Sequence, residues 1–281
     1  MKGDQSSDSC WLCGGSVHDL VVRTSAWDIR RCVSCGLRTK VGGPAIRYED
    51  LAEEEYAVFD YDRSKEVDDL IDCVERVVPF VEGMEILEIG CGTGALLHEF
   101  QTRGARVSGF EPSTAAVARA RSLYGITTVT NAPFLASTGR VPARIILLND
   151  VIEHLEDCHA LFSSIRAAMA DEAVLLVKTG DCAALNASLY PGRWAYYLLE
   201  QHVTFYSERA LRALCDRTGF RVAAFRRNVH AFGGSAVWDV SKNLAKAALL
   251  RLSSEEAARH RRLQINLAYD HFIAVLAPGR G

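Results

Sequence analysis

Two clusters of residues in this sequence have the types and spacing that chemistry needs, and they lie in different parts of the chain. Near the start, Cys10 and Cys13 form one Cys-x-x-Cys and Cys32 and Cys35 another, with eighteen residues between Cys13 and Cys32. Two such knuckles can set four thiolates tetrahedrally around Zn²⁺, and Gly14 and Gly36 follow directly where the chain must turn sharply. Four thiolates close the coordination shell, so the pattern predicts a structural ion without an open catalytic position. A redox role for one pair is the alternative, although neither opens a helix after a strand as a thioredoxin-like site would. A segment of about 40 residues buries too little surface to fold readily without such a staple.

The second cluster begins at Ile86, where ILEIGCGTGAL puts an apolar strand, a three-glycine turn and a helix start into eleven residues. Gly90, Gly92 and Gly94 stand at spacing two around Cys91, and glycine there permits backbone conformations and a close ligand approach that a Cβ would block. A second strand, Arg106 to Phe110, ends in Glu111, with Pro112 at a plausible first helical position. An acidic residue about 20 positions past the glycines is where a doubly wound fold holds ribose hydroxyls. Glu88 adds another carboxylate beside the turn. Phosphate would be repelled by this pair, whereas a cationic sulfonium nucleoside with a free amino group would be welcomed. Further on, Asp150, Glu153 and His154 fall at i, i+3 and i+4, one face of a helix. They read either as a divalent-cation set or as an Asp-x-x-Glu capping box that leaves His154 over.

On these residues the chain resembles class I S-adenosylmethionine (SAM) dependent methyltransferases. LEIGCGTG matches that family's first motif, Glu111 its ribose acid, and LLNDVIEHLED, Leu147 to Asp157, its fourth-strand signature. The resemblance runs from about Glu82 to Ala277. It implies SAM along Glu88, Gly90, Cys91, Gly92 and Gly94, with Glu111 and Pro112 at the ribose. It puts Asn131 and Ala132 beside the adenine, and Asn149 and Asp150 toward the methionyl end or the acceptor. A loop role is an equal alternative for Asn131. Ubiquinone-pathway O-methyltransferases carry a similar acid-x-x-Glu-His run. In related enzymes the segment before the core closes over SAM, which here gives Tyr56 and Tyr61 a substrate-side role. GRWAYYLLEQHVTFYSERAL, Gly192 to Leu211, resembles an acceptor-covering segment, so Trp194, Tyr196 and Tyr197 are expected at the acceptor. His202 recurs in that family just before a short strand and the helix Ser207 to Thr218. Sugar C-methyltransferases have a Glu-His pair there, but here Gln201 precedes His202 and the carboxylate is Glu200.

The elements that must position these residues are legible as alternating strands and helices. Glu85 to Ile89, Arg106 to Phe110, Thr127 to Thr130, Arg144 to Leu148, Ala173 to Lys178, Arg221 to Phe225 and His271 to Leu276 read as strands. Helical stretches between most of them argue right-handed βαβ units. The fold class is α/β, a doubly wound Rossmann-like sheet. The resemblance supplies the order 3-2-1-4-5-7-6 with an antiparallel last strand. Residues 1–45 are expected as a zinc ribbon, 46–82 as an acidic, aromatic linker with a helix at Asp68 to Val78, and 83–281 as the methyltransferase domain. The acceptor-covering loop of that domain is 181–202. Ser253-x-x-Glu256 caps a late helix with Arg259, Arg261 and Arg262, which reads as a solvated face or a homodimer contact.

Composition bounds the function. The 281 residues carry a net charge of −3 and are 49% hydrophobic, enough for a core and without the basic excess of a polyanion binder. No run of eighteen apolar residues occurs, and the polar start lacks a signal peptide's apolar core, so a soluble, cytoplasmic protein off the membrane is expected. The chain therefore reads as a SAM-dependent methyltransferase with structural Zn²⁺, acting on a small-molecule acceptor. A hydroxyl, or less readily a carbon or nitrogen, of a sugar or natural-product intermediate is the expected site, with His202 as first choice of general base and His154 as second. Two alternatives stay open. A nucleic-acid methyltransferase would use the ribbon for recognition, but Met1 to Lys40 holds six Lys plus Arg against four Asp, a net of only +2. A non-catalytic SAM-binding scaffold would use the ribbon to dock a partner protein.

Overall fold

The structure, a computed structural model, describes residues 9–15, 18–44, 62–135, 139–189, 191–228 and 270–279. Tyr56 and Tyr61, and the late helix with its capping box, lie outside the described residues. The central sheet contains β4 (Glu85–Ile89), β5 (Arg106–Phe110), β6 (Val129–Thr130), β7 (Ile145–Asn149), β8 (Val174–Gly180), β10 (Phe220–Asn228) and β11 (His271–Pro278). These strands lie side by side as β6-β5-β4-β7-β8-β11-β10. Counted along the core this is 3-2-1-4-5-7-6, as expected. The first five strands pair in parallel, and β11 runs antiparallel to both neighbours.

Strand residues alternate between two buried faces, which is why these runs read as nearly continuous apolar stretches. Leu87, Ile89, Ile146, Leu148, Leu175 and Val177 pack on one side with α4 (His159–Ala168) and α7 (Glu208–Thr218). Ile86, Leu147, Val174 and Leu176 pack on the other with α1 (Ser64–Val74), α2 (Ala95–Thr102) and α3 (Thr114–Tyr124). Helix α1 starts four residues before the expected Asp68, because its polar first turn is held by ion pairs rather than by apolar spacing. Helix α3 begins at Thr114, where Ser113 caps it by accepting from Ala116 N. Pro112 therefore precedes the cap and is not the first helical residue.

The N-terminal strands β1 (His18–Arg23), β2 (Trp27–Cys32) and β3 (Arg38–Gly42) form an antiparallel ribbon. It does not stand apart. Strand β3 pairs with β9 (Thr204–Phe205), so a segment just past the expected acceptor loop becomes the fourth strand of the ribbon sheet. Helices α5 (Leu185–Leu189) and α6 (Ala195–Leu198) lie within that loop. Among the described residues no helix is long and apolar enough to cross a membrane.

One glycine couples sheet packing to the glycine turn. A Cβ on Gly109 would sit 2.6 Å from Cys91 Sγ and 3.1 Å from Leu97 Cδ1. Gly109→Ala should therefore destabilise the protein by about 1–3 kcal/mol through overpacking. Denaturant unfolding checks this, and an unchanged midpoint would show that the turn yields without cost.

Candidate active site

The carboxyl edge of the parallel strands carries the glycine turn, and the backbone explains its composition. Gly90, Gly92 and Gly94 have φ of 75°, 52° and 75°, conformations that side chains resist. A Cβ on Gly90 would meet Val151 at 2.9 Å and one on Gly94 would meet Ala120 at 3.1 Å, whereas around Gly92 nothing lies within 4 Å. Gly92 thus faces open space, where a ligand can approach the main chain. Glu111 is pinned across the turn, accepting from Gly92 N and Ser113 N at 2.9 Å each. Burial raises its pKa while these two bonds pull the other way.

Glu88 has no such support. It is 3% exposed, and its Oε2 has no hydrogen-bond partner among the described residues. Burial, with Glu66, Glu111 and Asp150 nearby, pushes its pKa up to about 8 against the pull of Arg63. A buried carboxyl without a donor is costly, and a cationic or hydrogen-bond-donating ligand group would relieve it. Asn149 Oδ1 is a second buried acceptor without a partner among the described residues. Asn131 has a local role, since its amide donates to Glu111 O and Pro112 O at 3.0 Å and its Oδ1 accepts from Thr114 at 2.9 Å. It staples the ends of β5 and β6, with Ala132 next to it. Cys91 is buried against Gly109, and burial keeps its thiol protonated.

Beside this edge lies a buried polar cluster. Lys178, in an otherwise apolar strand, is 1% exposed and bridges Glu66 at 2.5 Å and Asp150 at 3.1 Å. Burial alone would lower the lysine's pKa, but the two carboxylates outweigh it and raise it. Arg63 adds a 2.6 Å ion pair to Glu66. Asp150 takes φ 52°, the only non-glycine among the described residues with positive φ. The turn Ile152–His154 is 3₁₀ and has no side-chain cap, so the capping-box reading of Asp150 and Glu153 fails. Glu153 instead turns inward. It is fully buried, accepting from Thr179 Oγ1 at 2.8 Å and from the Tyr196 hydroxyl. The Tyr196 hydroxyl also lies 3.4 Å from Asp150.

His202 sits against this cluster, 5% exposed, its ring centroid 4.1 Å from Tyr196 and 4.7 Å from His154. Its Nδ1 lies 3.2 Å from Tyr196 O. A carbonyl only accepts, so Nδ1 carries the proton and Nε2 keeps the lone pair. Burial, then the neighbouring His154, hold the pKa of His202 well below its ordinary 6.5. Donor atoms of Glu153, His154 and His202 come within 4.8 Å of one another, a geometry that can also hold a cation.

Trp194, Tyr196 and Tyr197 are all buried in one core shared with Val22, Trp27 and Ile29 of the ribbon. Trp27 Nε1 donates to Tyr197 O at 3.2 Å, and Arg38 donates to the Tyr197 hydroxyl. Of the three expected acceptor aromatics, all pack on the ribbon, and the Tyr196 hydroxyl also reaches the polar cluster. At the ribbon's tip Cys10 and Cys35 have sulfurs 3.7 Å apart, and Cys13 and Cys32 3.5 Å. All four are free thiols whose donor atoms share one small volume. Sequence reasoning missed Lys178, Glu66, Thr179, and the His271–Asp270 pair at 2.8 Å. A lysine inside the apolar run of β8 was the available signal, because a charge there needs partners.

Comparison with known proteins bears on the family and the fold. A family described as methyltransferase domain matches residues 59–224, more than half of the chain. A ubiquinone biosynthesis O-methyltransferase of Rhodopseudomonas palustris is 32% identical over 103 residues, 35% of this chain and 41% of that protein. C-methyltransferase NovU of Streptomyces niveus is 27% identical over 220 residues, 74% of this chain and 49% of that protein. The chain thus spans less than half the length of these curated relatives. The structure of phosphoethanolamine N-methyltransferase 2 of Haemonchus contortus in complex with S-adenosyl-L-methionine superposes with a TM-score of 0.54 at 15% identity, covering 86% of this chain and 62% of that one. With the glycine edge, the strand order and a family match over most of the core, this chain belongs to the SAM-dependent methyltransferases.

Proposed function

We propose that the protein methylates a hydroxyl, or less readily a carbon or nitrogen, of a small polar metabolite such as a sugar or natural-product intermediate, with His202 as general base. The observation that carries this reading is a buried imidazole tilted against the Tyr196 ring, its Nδ1 held by Tyr196 O, with the Tyr196 hydroxyl reaching Asp150 at the end of β7 beside the glycine edge. SAM supplies the electrophilic methyl group when bound. Glu88 and the backbone around Gly92 suit its cationic amino acid end, and Glu111 suits the ribose hydroxyls. Methyl transfer is an in-line displacement, so holding the acceptor still and dry does much of the work. Tyr196, oriented by Glu153, offers a polar anchor for the acceptor, and Nε2 of His202 is free to take the proton of an acceptor hydroxyl. The small-molecule reading also draws on the relatives, a ubiquinone O-methyltransferase and the C-methyltransferase NovU. The chain carries too little basic charge for nucleic acid.

The four cysteines we assign to one structural Zn²⁺. Their sulfur separations match the roughly 3.8 Å expected when thiolates share an ion at about 2.3 Å, and are far too long for disulfides. Elemental analysis of freshly purified protein should find one zinc per chain, lost on replacing Cys32 by Ser. Zinc-free, fully folded protein would overturn the assignment.

Glu111→Ala should weaken SAM binding by about 1.5–3 kcal/mol through lost charge-assisted hydrogen bonds. Isothermal titration calorimetry decides it. Unchanged affinity would remove Glu111 from the donor site.

His202→Ala should lower turnover by about 10²- to 10⁴-fold while leaving SAM affinity nearly intact. The test is single-turnover methylation with labelled SAM and a panel of sugar, phenolic and nucleobase acceptors. Because the folded pKa of His202 lies below 6.5, activity should persist through neutral pH. It should fall only as pH drops through that depressed value and the base becomes charged. Near-normal turnover in the variant would transfer the role to His154 or to proximity alone.

A further inference from the structure

The ribbon reaches further into the active site than a folding staple needs to. Lys40, on β3, grips the strip that carries His202 at both ends. Its ammonium donates to Leu199 O at 2.7 Å and to Glu200 O at 3.0 Å, capping the chain where it leaves α6. Its main-chain N–H donates to Val203 O at 2.8 Å. The backbone N–H of His202 shares the Leu199 carbonyl with the lysine, at 3.3 Å. The ammonium also rests 4.2 Å from the centroid of the Trp27 ring, a cation–π contact that fixes its direction. The opposite side of the strip is tied to the turn that bears the other polar residues, through Val203 N to Glu153 O at 2.8 Å and His154 Nδ1 to Gln201 O at 3.1 Å. His202 thus lies in a short bridge with the ribbon on one bank and the Glu153–His154 turn on the other.

We propose that Lys40 is a positioning residue for His202, so that the cysteine ribbon serves the methyl-transfer site and not only the stability of the chain. The inference rests on the reading of His202 as the base, but its geometry does not. Two effects act together. The three hydrogen bonds fix where the imidazole stands, and the nearby positive charge opposes a second positive charge on it. Charged and titratable groups face His202 from every element around it: His154 and Glu153 from the turn, Asp150 from the end of β7, Tyr196 from α6 and Lys40 from β3. Lys40 and His154 work against protonation, whereas Asp150 favours it. Lys40 itself, drawn down to about 8 by burial with Glu200 opposing, still holds its proton at neutral pH.

The test needs no acceptor. Histidine-labelled full-length protein is titrated by NMR, with the His202 signal identified by its absence in His202→Gln, and S-adenosylhomocysteine affinity is measured by calorimetry on the same samples. Lys40→Met should move the His202 titration to higher pH, because the opposing charge and the two ammonium hydrogen bonds to the strip are lost while the main-chain bond to Val203 O stays. Lys40→Arg, which retains a charge and donors, should restore most of the original curve. Affinity for S-adenosylhomocysteine should stay within about twofold in both variants, since the donor half is held by other residues. Once an acceptor is in hand, Lys40→Met should also lose roughly 10²-fold in turnover, the cost of misplacing a catalytic group by about 1 Å. An unchanged His202 titration in Lys40→Met overturns the proposal. So does a shift of equal size in Lys40→Arg, or a parallel collapse of ligand affinity and thermal stability, which would make Lys40 an ordinary folding residue. A shifted titration with full turnover would leave Lys40 as the positioner and remove His202 as the base, so failures of the two readings can be told apart.

Discussion

A lysine ammonium excluded from water has to be neutralised where it stands, and in this protein that requirement organises the site. Moving an ion into the interior costs several kcal/mol unless close partners compensate it. Lys178 stands at the carboxyl end of β8 with Glu66 and Asp150 as those partners. Glu66 comes from α1, outside the βαβ core, so the pairing docks that helix across the edge where the strands end. Further contacts from Asp69 to Arg226 at 2.8 Å and to Asn228 at 3.3 Å fasten the same helix to β10. Asp150 meets the lysine from a left-handed backbone, a conformation that costs an ordinary residue roughly 1–2 kcal/mol and that aspartate tolerates better than most. The ion pair compensates that strain, and the chain leaving Asp150 turns Glu153 inward instead of starting a helix.

From that turn the site continues outward through buried polar groups. Glu153 is too deeply buried to be comfortable as an anion, and the Tyr196 and Thr179 hydroxyls are the donors that make it tolerable. Tyr196 is held in turn by its position between Trp194 and His202. The outer support comes from the ribbon, whose β3 takes β9 as its neighbour and whose Trp27 and Arg38 hold Tyr197 from behind. The wall around His202 is therefore assembled from three distant stretches of sequence, none of which would hold its shape alone.

The glycine edge and the buried cluster beside it are supported differently. At the glycine turn, the main-chain path and the pinned Glu111 are held by residues next to them in sequence or on a paired strand. In the cluster, side chains from α1, β7, β8 and α6 converge from distant stretches of the chain.

What the sequence by itself determined is what depends on local rules. Strand and helix order, the glycine turn with Glu111 beyond it, and the paired cysteine knuckles all follow from periodicity, steric freedom at glycine and short ligand spacing. The strand order itself came from family resemblance, because pairing between strands is not a local property. Only the tertiary structure decided the fate of Asp150 and Glu153, whose spacing fits a helix cap equally well. The deciding partners, Lys178, Thr179 and Tyr196, lie 26 to 46 residues away along the chain. Nor could the sequence tell that Trp194, Tyr196 and Tyr197 would share a core with the ribbon, or that β3 would find β9. Burial sets the worth of a charge or a hydroxyl, and burial is a property of the packed whole.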